Sequence, residues 1–135
     1  MIVDSGAGES VAPADAFVNY PIMETDASKS GLEYTAAGGH TLPNLGATQP
    51  LLHTVDGERR LMTFQVADVT KILASVSRMV STGHRVVFDS PEVGSYIEHK
   101  ASGKKIKLRQ HNGVYLLDMW VAPNGNKGFQ RQVAP

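Results

Sequence analysis

The chain has 135 residues, with 13 Lys or Arg against 13 Asp or Glu and no cysteine. That length fits one domain with a moderate core that needs neither metal nor disulfide. Balanced charge excludes a polybasic nucleic-acid binder and an acidic tail, and the missing thiols exclude a disulfide framework, a cysteine nucleophile and a thiolate metal site. No apolar run is long enough to span a membrane. The opening, "MIVDSG", lacks the charged and apolar regions of a signal peptide. The first notable motif follows after only three residues, so the expectation is a fragment of a longer chain. A chain without cysteine fits a reducing, intracellular compartment.

In chain order, "VDSGAGES" (3–10) comes first. Asp4 leaves a short apolar strand at a sharp turn, Gly6 gives the backbone freedom and Ala7 leaves space beside it. The stretch 5–32, rich in Ala, Gly, Ser and Asp, reads as loop with one short helical turn. "YTAAGGHTLPNLG" (34–46) holds a Gly-Gly turn. "LLHTVDGERRLMTFQV" (51–66) reads as a hairpin around Asp56-Gly57, a dipeptide suited to a two-residue type I′ turn. The spacing of Val76, Met79 and Val80 predicts one helix over 75–83, with Ser75 as N-cap and Gly83 ending it. "HRVVFD" (84–89) reads as a buried strand. "GSYIEHKASGKKIKL" (94–108) reads as a hairpin with a longer loop. "KIKLRQHNGVYLLDMWV" (105–121) is a second candidate for a type I′ turn, at Asn112-Gly113. The tail 122–135 has no period and the composition of a disordered segment. There is no internal repeat, and the fold class is mainly β with one helix.

Asp-Ser-Gly after an apolar strand is the fragment an aspartic protease needs. It is also an ordinary turn tripeptide, whose Asp closes the turn. The chemistry requires two carboxyls sharing a proton, since two charges that close cannot both ionise. The nearest second match, Asp89-Ser90-Pro91, has proline in the glycine position, and its fixed φ cannot make the same turn. The chain therefore carries one half-site, and a protease built on it must be a symmetric homodimer. Five histidines (40, 53, 84, 99, 111) lack paired metal-ligand spacing, so no metal is expected. "GAGES" lacks the third glycine and the setting of a dinucleotide site, and "SGKKIKLR" lacks the first glycine of a phosphate loop. Lys105, Lys107 and Arg109 alternate with Ile106 and Leu108 as on a half-exposed strand. No aromatics interleave to stack bases, so nucleic acid is not an expected partner. Tyr96, Tyr115 and Trp120 read as core.

The order of these features resembles the retropepsin-like aspartic proteases, most closely the protease region of copia-type retrotransposon polyproteins. The matching pieces are Asp4 to Ala7, Ala36 to Gly39, Leu73 to Val76 and Gly83 to Phe88. The likeness covers roughly residues 2–90, and 91–121 resembles the segment between protease and integrase in those polyproteins. The resemblance implies a single-lobe acid-protease fold, closed and barrel-like, with a short C-terminal helix and then a β-meander. The implied division is a protease lobe at 1–90, shortened at its N-terminus, a β-hairpin extension at 91–121 and a tail at 122–135.

The resemblance also implies roles. Asp4 and its mate activate water and protonate the leaving amine. Ser5 braces the two loops across the dimer axis, while Gly6 and Ala7 line the cleft. Ala37, Gly38, Gly39 and His40 form a flap over the peptide, and Ile72, Leu73 and Ala74 lie behind the active loop. Ala74 stands where viral members have glycine. Gly8, followed by Glu9, stands where they have an acidic residue that binds substrate backbone. The strands upstream of the Asp are missing. The implied partners are a second copy and a peptide or polyprotein, without cofactor or membrane, in the cytoplasm or a retrotransposon particle. Two other readings stay open: a non-catalytic, transposon-derived β-rich assembly module, and a protease domain in a cellular protein of the ubiquitin-receptor type.

Overall fold

The computed structural model describes residues 1–36 and 38–123. Strand β1 (Ile2–Asp4) is followed by β2 (Val11–Ala12), helix α1 (Asp26–Lys29), β3 (Glu33–Thr35), β4 (Thr41–Pro43), β5 (Gly46–Thr48), β6 (Leu51–His53), β7 (Arg59–Leu61), β8 (Phe64–Val66) and β9 (Leu73–Ser75). Helix α2 (Val76–Ser81) leads into β10 (His84–Val87), β11 (Ser95–His99), β12 (Lys105–His111), β13 (Val114–Leu116) and β14 (Trp120–Val121). The chain is mainly β, as the turn-rich sequence predicts.

Nine strands form one sheet in the order β10-β11-β12-β13-β1-β9-β2-β8-β5. Strands β14-β6-β7 form a second sheet, and β3-β4 a hairpin of its own. The sheets are not closed, which corrects the barrel-like expectation. The physical reason is in the pairing: among the described strands β10 pairs with β11 alone and β5 with β8 alone, β5 adding just an isolated bridge from Ala47 to Met23, so the large sheet ends in two separate edges.

Strand β1 lies between two partners of opposite sense. It runs antiparallel to β13, with Val3 opposite Tyr115, and parallel to β9, with Val3 opposite Ala74 and Asp4 opposite Ser75. The strands after residue 91 thus continue the sheet that carries Asp4. Leu117 N–H extends the pairing by donating to the Met1 carbonyl at 2.9 Å.

Turn chemistry decides the hairpins. Asn112 (φ 50°) and Gly113 (φ 80°) both sit in the left-handed region, as a type I′ turn needs, and His111 pairs with Val114. Asp56-Gly57 does not repeat this. Among the described non-glycine residues only Asn112 has positive φ. The β6–β7 loop is five residues, closed by Gly57 N–H to Thr54 O (2.9 Å) and Thr54 N–H to Glu58 O (2.8 Å). That is a type I turn with a glycine bulge. The expected continuous run to residue 66 also breaks at Met62, and β8 joins the large sheet instead.

Helix α2 is capped as its sequence predicts. Ser75 Oγ accepts from Arg78 N–H at 3.1 Å, and the positive φ of Gly83 follows the Thr82 C-cap. Its apolar face is narrower than the spacing implies, since Met79 is buried and Val80 is 52% exposed. The short turn expected within 5–32 is α1, closed by a Thr25–Ser28 capping box. "HRVVFD" is an edge strand, with Arg85 and Phe88 exposed, rather than a buried one. Trp120 corrects the core reading: it is 61% exposed on edge strand β14, whereas Tyr96 and Tyr115 are half-buried. Of the expected disordered tail, Ala122 is buried, donates its N–H to Leu51 O and accepts from Tyr20 Oη at 2.7 Å. Residues 124–135 lie outside the described residues.

The core has two clusters. One gathers Val3, Ala74, Met79, Ile97, Leu108 and Leu117. The other gathers Ala12, Phe17, Tyr20, Leu52 and Phe64. Side chains of Met1, Met62 and Met119 pack against both.

Two exposed ion-pair groups tie hairpins together. Lys104 and Arg60 both bond the Glu58 carboxylate and hold its pKa below the usual value, and Arg109 does the same to Asp118. A carboxyl lowered in the folded state stabilises the fold above its unfolded pKa and loses that contribution as pH falls through the folded one. Glu58→Gln should therefore lower the melting temperature slightly at pH 7, where exposed pairs contribute little. The difference from wild type should vanish well below the ordinary carboxylate range of about 4. Melting curves at both pH values check this.

Candidate active site around Asp4

Asp4 is the last residue of β1, and the chain turns sharply after it. It pairs with Ser75 of β9, while the residues before it, Ile2 and Val3, pair with β13 as well; Asp4 is half-buried. Asp4 Oδ1 accepts the Gly6 N–H at 2.8 Å. Among the described residues no cation pairs with this carboxylate. Gly6 serves by its missing side chain: a Cβ there would come within 3.3 Å of Asp4 Oδ1. Its φ lies outside the left-handed region, so close approach rather than backbone freedom accounts for it. Ser5 is exposed and Ala7 half-buried.

The loop is braced from beneath by Ser75, a fully buried residue. Ser75 Oγ donates to the Ala7 carbonyl at 2.6 Å while accepting from Arg78 N–H. Ser75 N–H donates to Ser10 Oγ at 3.0 Å. One hydroxyl thus joins the loop after Asp4 to the start of α2. Arg78 adds an ion pair to Glu9, Nε to Oε2 at 2.9 Å, on the same helix-to-loop seam. Sequence reading found Ser75 as an N-cap. The serine three residues before a helix turn signals that role, but nothing local signals its bond 68 residues away.

The residues expected behind the loop adjoin it. Ile72 O accepts from Ile2 N–H at 3.0 Å, and Leu73 and Ala74 pair with Ile2 and Val3. Ala74 is fully buried. The expected flap residues Gly38, Gly39 and His40 sit at the exposed tip of the β3–β4 hairpin; Ala37 lies outside the described residues. The tip is closed by Gly39 N–H to Ala36 O (2.9 Å) and Ala36 N–H to His40 O (2.8 Å). At its base, Asn44 Nδ2 donates to Tyr34 Oη (2.8 Å) and to Gln65 Oε1 (2.9 Å), anchoring the hairpin on β8.

Asp89 does not join this group. It lies past β10, and β11, β12 and β13 separate that strand from β1. The sheet curls between them, since the Phe88 ring beside Asp89 lies 4.5 Å centre to centre from that of Tyr115, the partner of Val3. The Asp89 carboxylate accepts the Ser90 N–H at 2.7 Å in the turn before β11.

Comparison with protein-family models, curated proteins and solved structures finds no match to this chain. Among the described residues no helix is long and apolar enough to cross a membrane.

Removing the Ser75 hydroxyl should loosen the loop and the helix start together. Ser75→Ala leaves the half-buried Ala7 carbonyl without its donor and Arg78 N–H without its cap. A cost of about 1–3 kcal/mol is expected, measured by denaturant unfolding. Faster amide exchange should be confined to residues 5–10 and 76–79.

Proposed function

We propose that the chain is one half of a retropepsin-like aspartic endopeptidase, active as a homodimer on extended peptide segments of a copia-type polyprotein. The observation that carries this reading is the Asp4 loop. Asp4, a half-buried residue, ends a strand paired on both sides, its Oδ1 accepts the Gly6 N–H, and among the described residues no cation pairs with it. Two such carboxyls brought together share one proton. The ionised one takes a proton from water, whose oxygen attacks the scissile carbonyl carbon. The protonated one then supplies the leaving nitrogen as the C–N bond breaks. The β3–β4 hairpin acts as the flap, adding main-chain hydrogen bonds to the peptide. The second carboxyl comes from another chain because Asp89 is followed by Ser90-Pro91, which cannot make the same turn, and its Oδ1 is taken by Ser90 N–H.

A second reading is a non-catalytic assembly module. It is favoured by Trp120 and Val121, which expose apolar surface on an edge strand where another chain can add. The Asp4–Gly6 bond is then the closure of a turn.

Dilution tests the first reading. Because association builds the site, specific activity against an unfolded protein substrate should fall as the enzyme is diluted through its dimer dissociation constant. Sedimentation should show the dimer to monomer change over the same range. Constant specific activity, or a monomer at every concentration, contradicts it.

A further inference from the structure

We propose that the cleft between α2, β7 and the β11–β12 hairpin binds a small apolar organic acid. The cleft encloses about 440 Å³ and is partly open to solvent. Its walls are Met62, Met79, Ile97, Ile106, Leu117 and Met119. That volume falls in the range of pockets that take a small organic molecule. The cleft lies where the two core clusters meet, since Met62 and Met119 pack against both. Protein interiors normally close such gaps, because each lining atom without a neighbour forfeits dispersion contacts. A guest restores them. Three of the apolar residues that line the cleft, Met62, Met79 and Met119, are methionines, which repack around irregular shapes.

The mouth selects the charge of the guest. Arg78 lines the cleft, meets Glu9 through Nε, and keeps a side chain that is 58% exposed. Arg60 also lines the cleft, and it shares Glu58 with Lys104. Of the residues that line the cleft, two cations, Arg60 and Arg78, stand against one carboxylate, Glu9, which leaves a surplus positive charge at the mouth. His84 lines the same side, its Nδ1 engaged by Thr82 Oγ1 and the Met79 carbonyl, each at 3.2 Å. An apolar body with one anionic group matches this rim better than an ammonium. The cleft also touches Ser10 and Ser75, the pair that braces the Asp4 loop. The site needs no second chain, so it stands apart from the protease reading.

The test uses the full chain and anilinonaphthalene sulfonate, an apolar aromatic body with one anionic group. The expected result is saturable binding of one probe per chain. A naphthyl ammonium of similar size should bind about tenfold or more weakly. The methyl resonances of Met62, Met79 and Met119 should shift together as the probe is added. Leu61→Glu places a carboxylate at the mouth from a residue already exposed, and should weaken binding about tenfold or more. Absence of saturable binding, or methyl shifts that spare these three residues, overturns the site. Equal affinity for the anionic and cationic probes overturns the preference for an acid. The methyl shifts are read in the wild-type protein, so the site is decided even if Leu61→Glu fails to fold.

Discussion

Asp4→Asn should abolish peptide hydrolysis, lowering kcat by about 10²–10⁴-fold or more, and leave the chain folded. Asparagine keeps the oxygen that accepts the Gly6 N–H at 2.8 Å. It keeps the size of the side chain and the strand pairing on both sides of β1. What it removes is the exchangeable proton, and with it both the base that activates water and the acid that releases the amine. In a dimer it also removes the repulsion between two carboxyls, so the dimer should hold together as well as wild type or better. Asp4→Ala separates the structural part. It deletes the acceptor and should cost about 0.5–1.5 kcal/mol, a loss that Asp4→Asn does not share. If Asp4 only closes a turn, both variants keep whatever activity the wild type has, and only Asp4→Ala loses stability; if it is a protease residue, both are inactive. Melting curves and peptide cleavage, measured on both, tell the cases apart.

Phe64→Ala should cost about 3–5 kcal/mol of stability, near the upper end for a single core truncation. Phe64 is fully buried, and its ring centre lies 5.1 Å from that of Phe17 at a tilt of 41°. It holds together residues far apart in sequence, packing in one cluster with Ala12, Tyr20 and Leu52. It also sits on β8, which links β5 to β2 and so carries one end of the large sheet. Truncation leaves a cavity that these neighbours cannot close without moving a strand. For a chain of this length the melting temperature should fall by about 10–20 °C. Phe64→Leu, which keeps most of the volume, should lose much less. A loss below about 1 kcal/mol for Phe64→Ala would mean that this cluster is not a packed core.

The sequence is most legible where the physics is local. Asn112-Gly113 dictates a type I′ turn because both residues tolerate positive φ, and the structure has it. Ser75 and Gly83 mark the ends of α2 for equally local reasons. Asp56-Gly57 carries the same kind of signal, yet Thr54 closes a wider loop there. Alternation tells which residues share a face of a strand without telling which face is covered, and so Trp120 was expected inside and lies outside. An apolar run such as "HRVVFD" has the same pattern at an edge as in the middle of a sheet. The open sheet was illegible because closure depends on whether β10 and β5 find further partners, a property of the whole chain. At the site, the turn after Asp4 follows from its own residues. The brace from Ser75 to Ala7 and the Glu9–Arg78 pair join segments more than sixty residues apart, which no local pattern encodes.

The central claim is that two Asp4 carboxyls, one from each chain, make one site. Mixing wild-type chains with Asp4→Asn chains tests it most directly. With equal amounts and full exchange of subunits, only about a quarter of the dimers carry two carboxyls. Cleavage per total chain should then fall to about a quarter of the undiluted wild-type value at the same total concentration. If it falls to one half, each chain works alone, and if wild type cleaves nothing, Asp4 is no protease residue; either result contradicts the account.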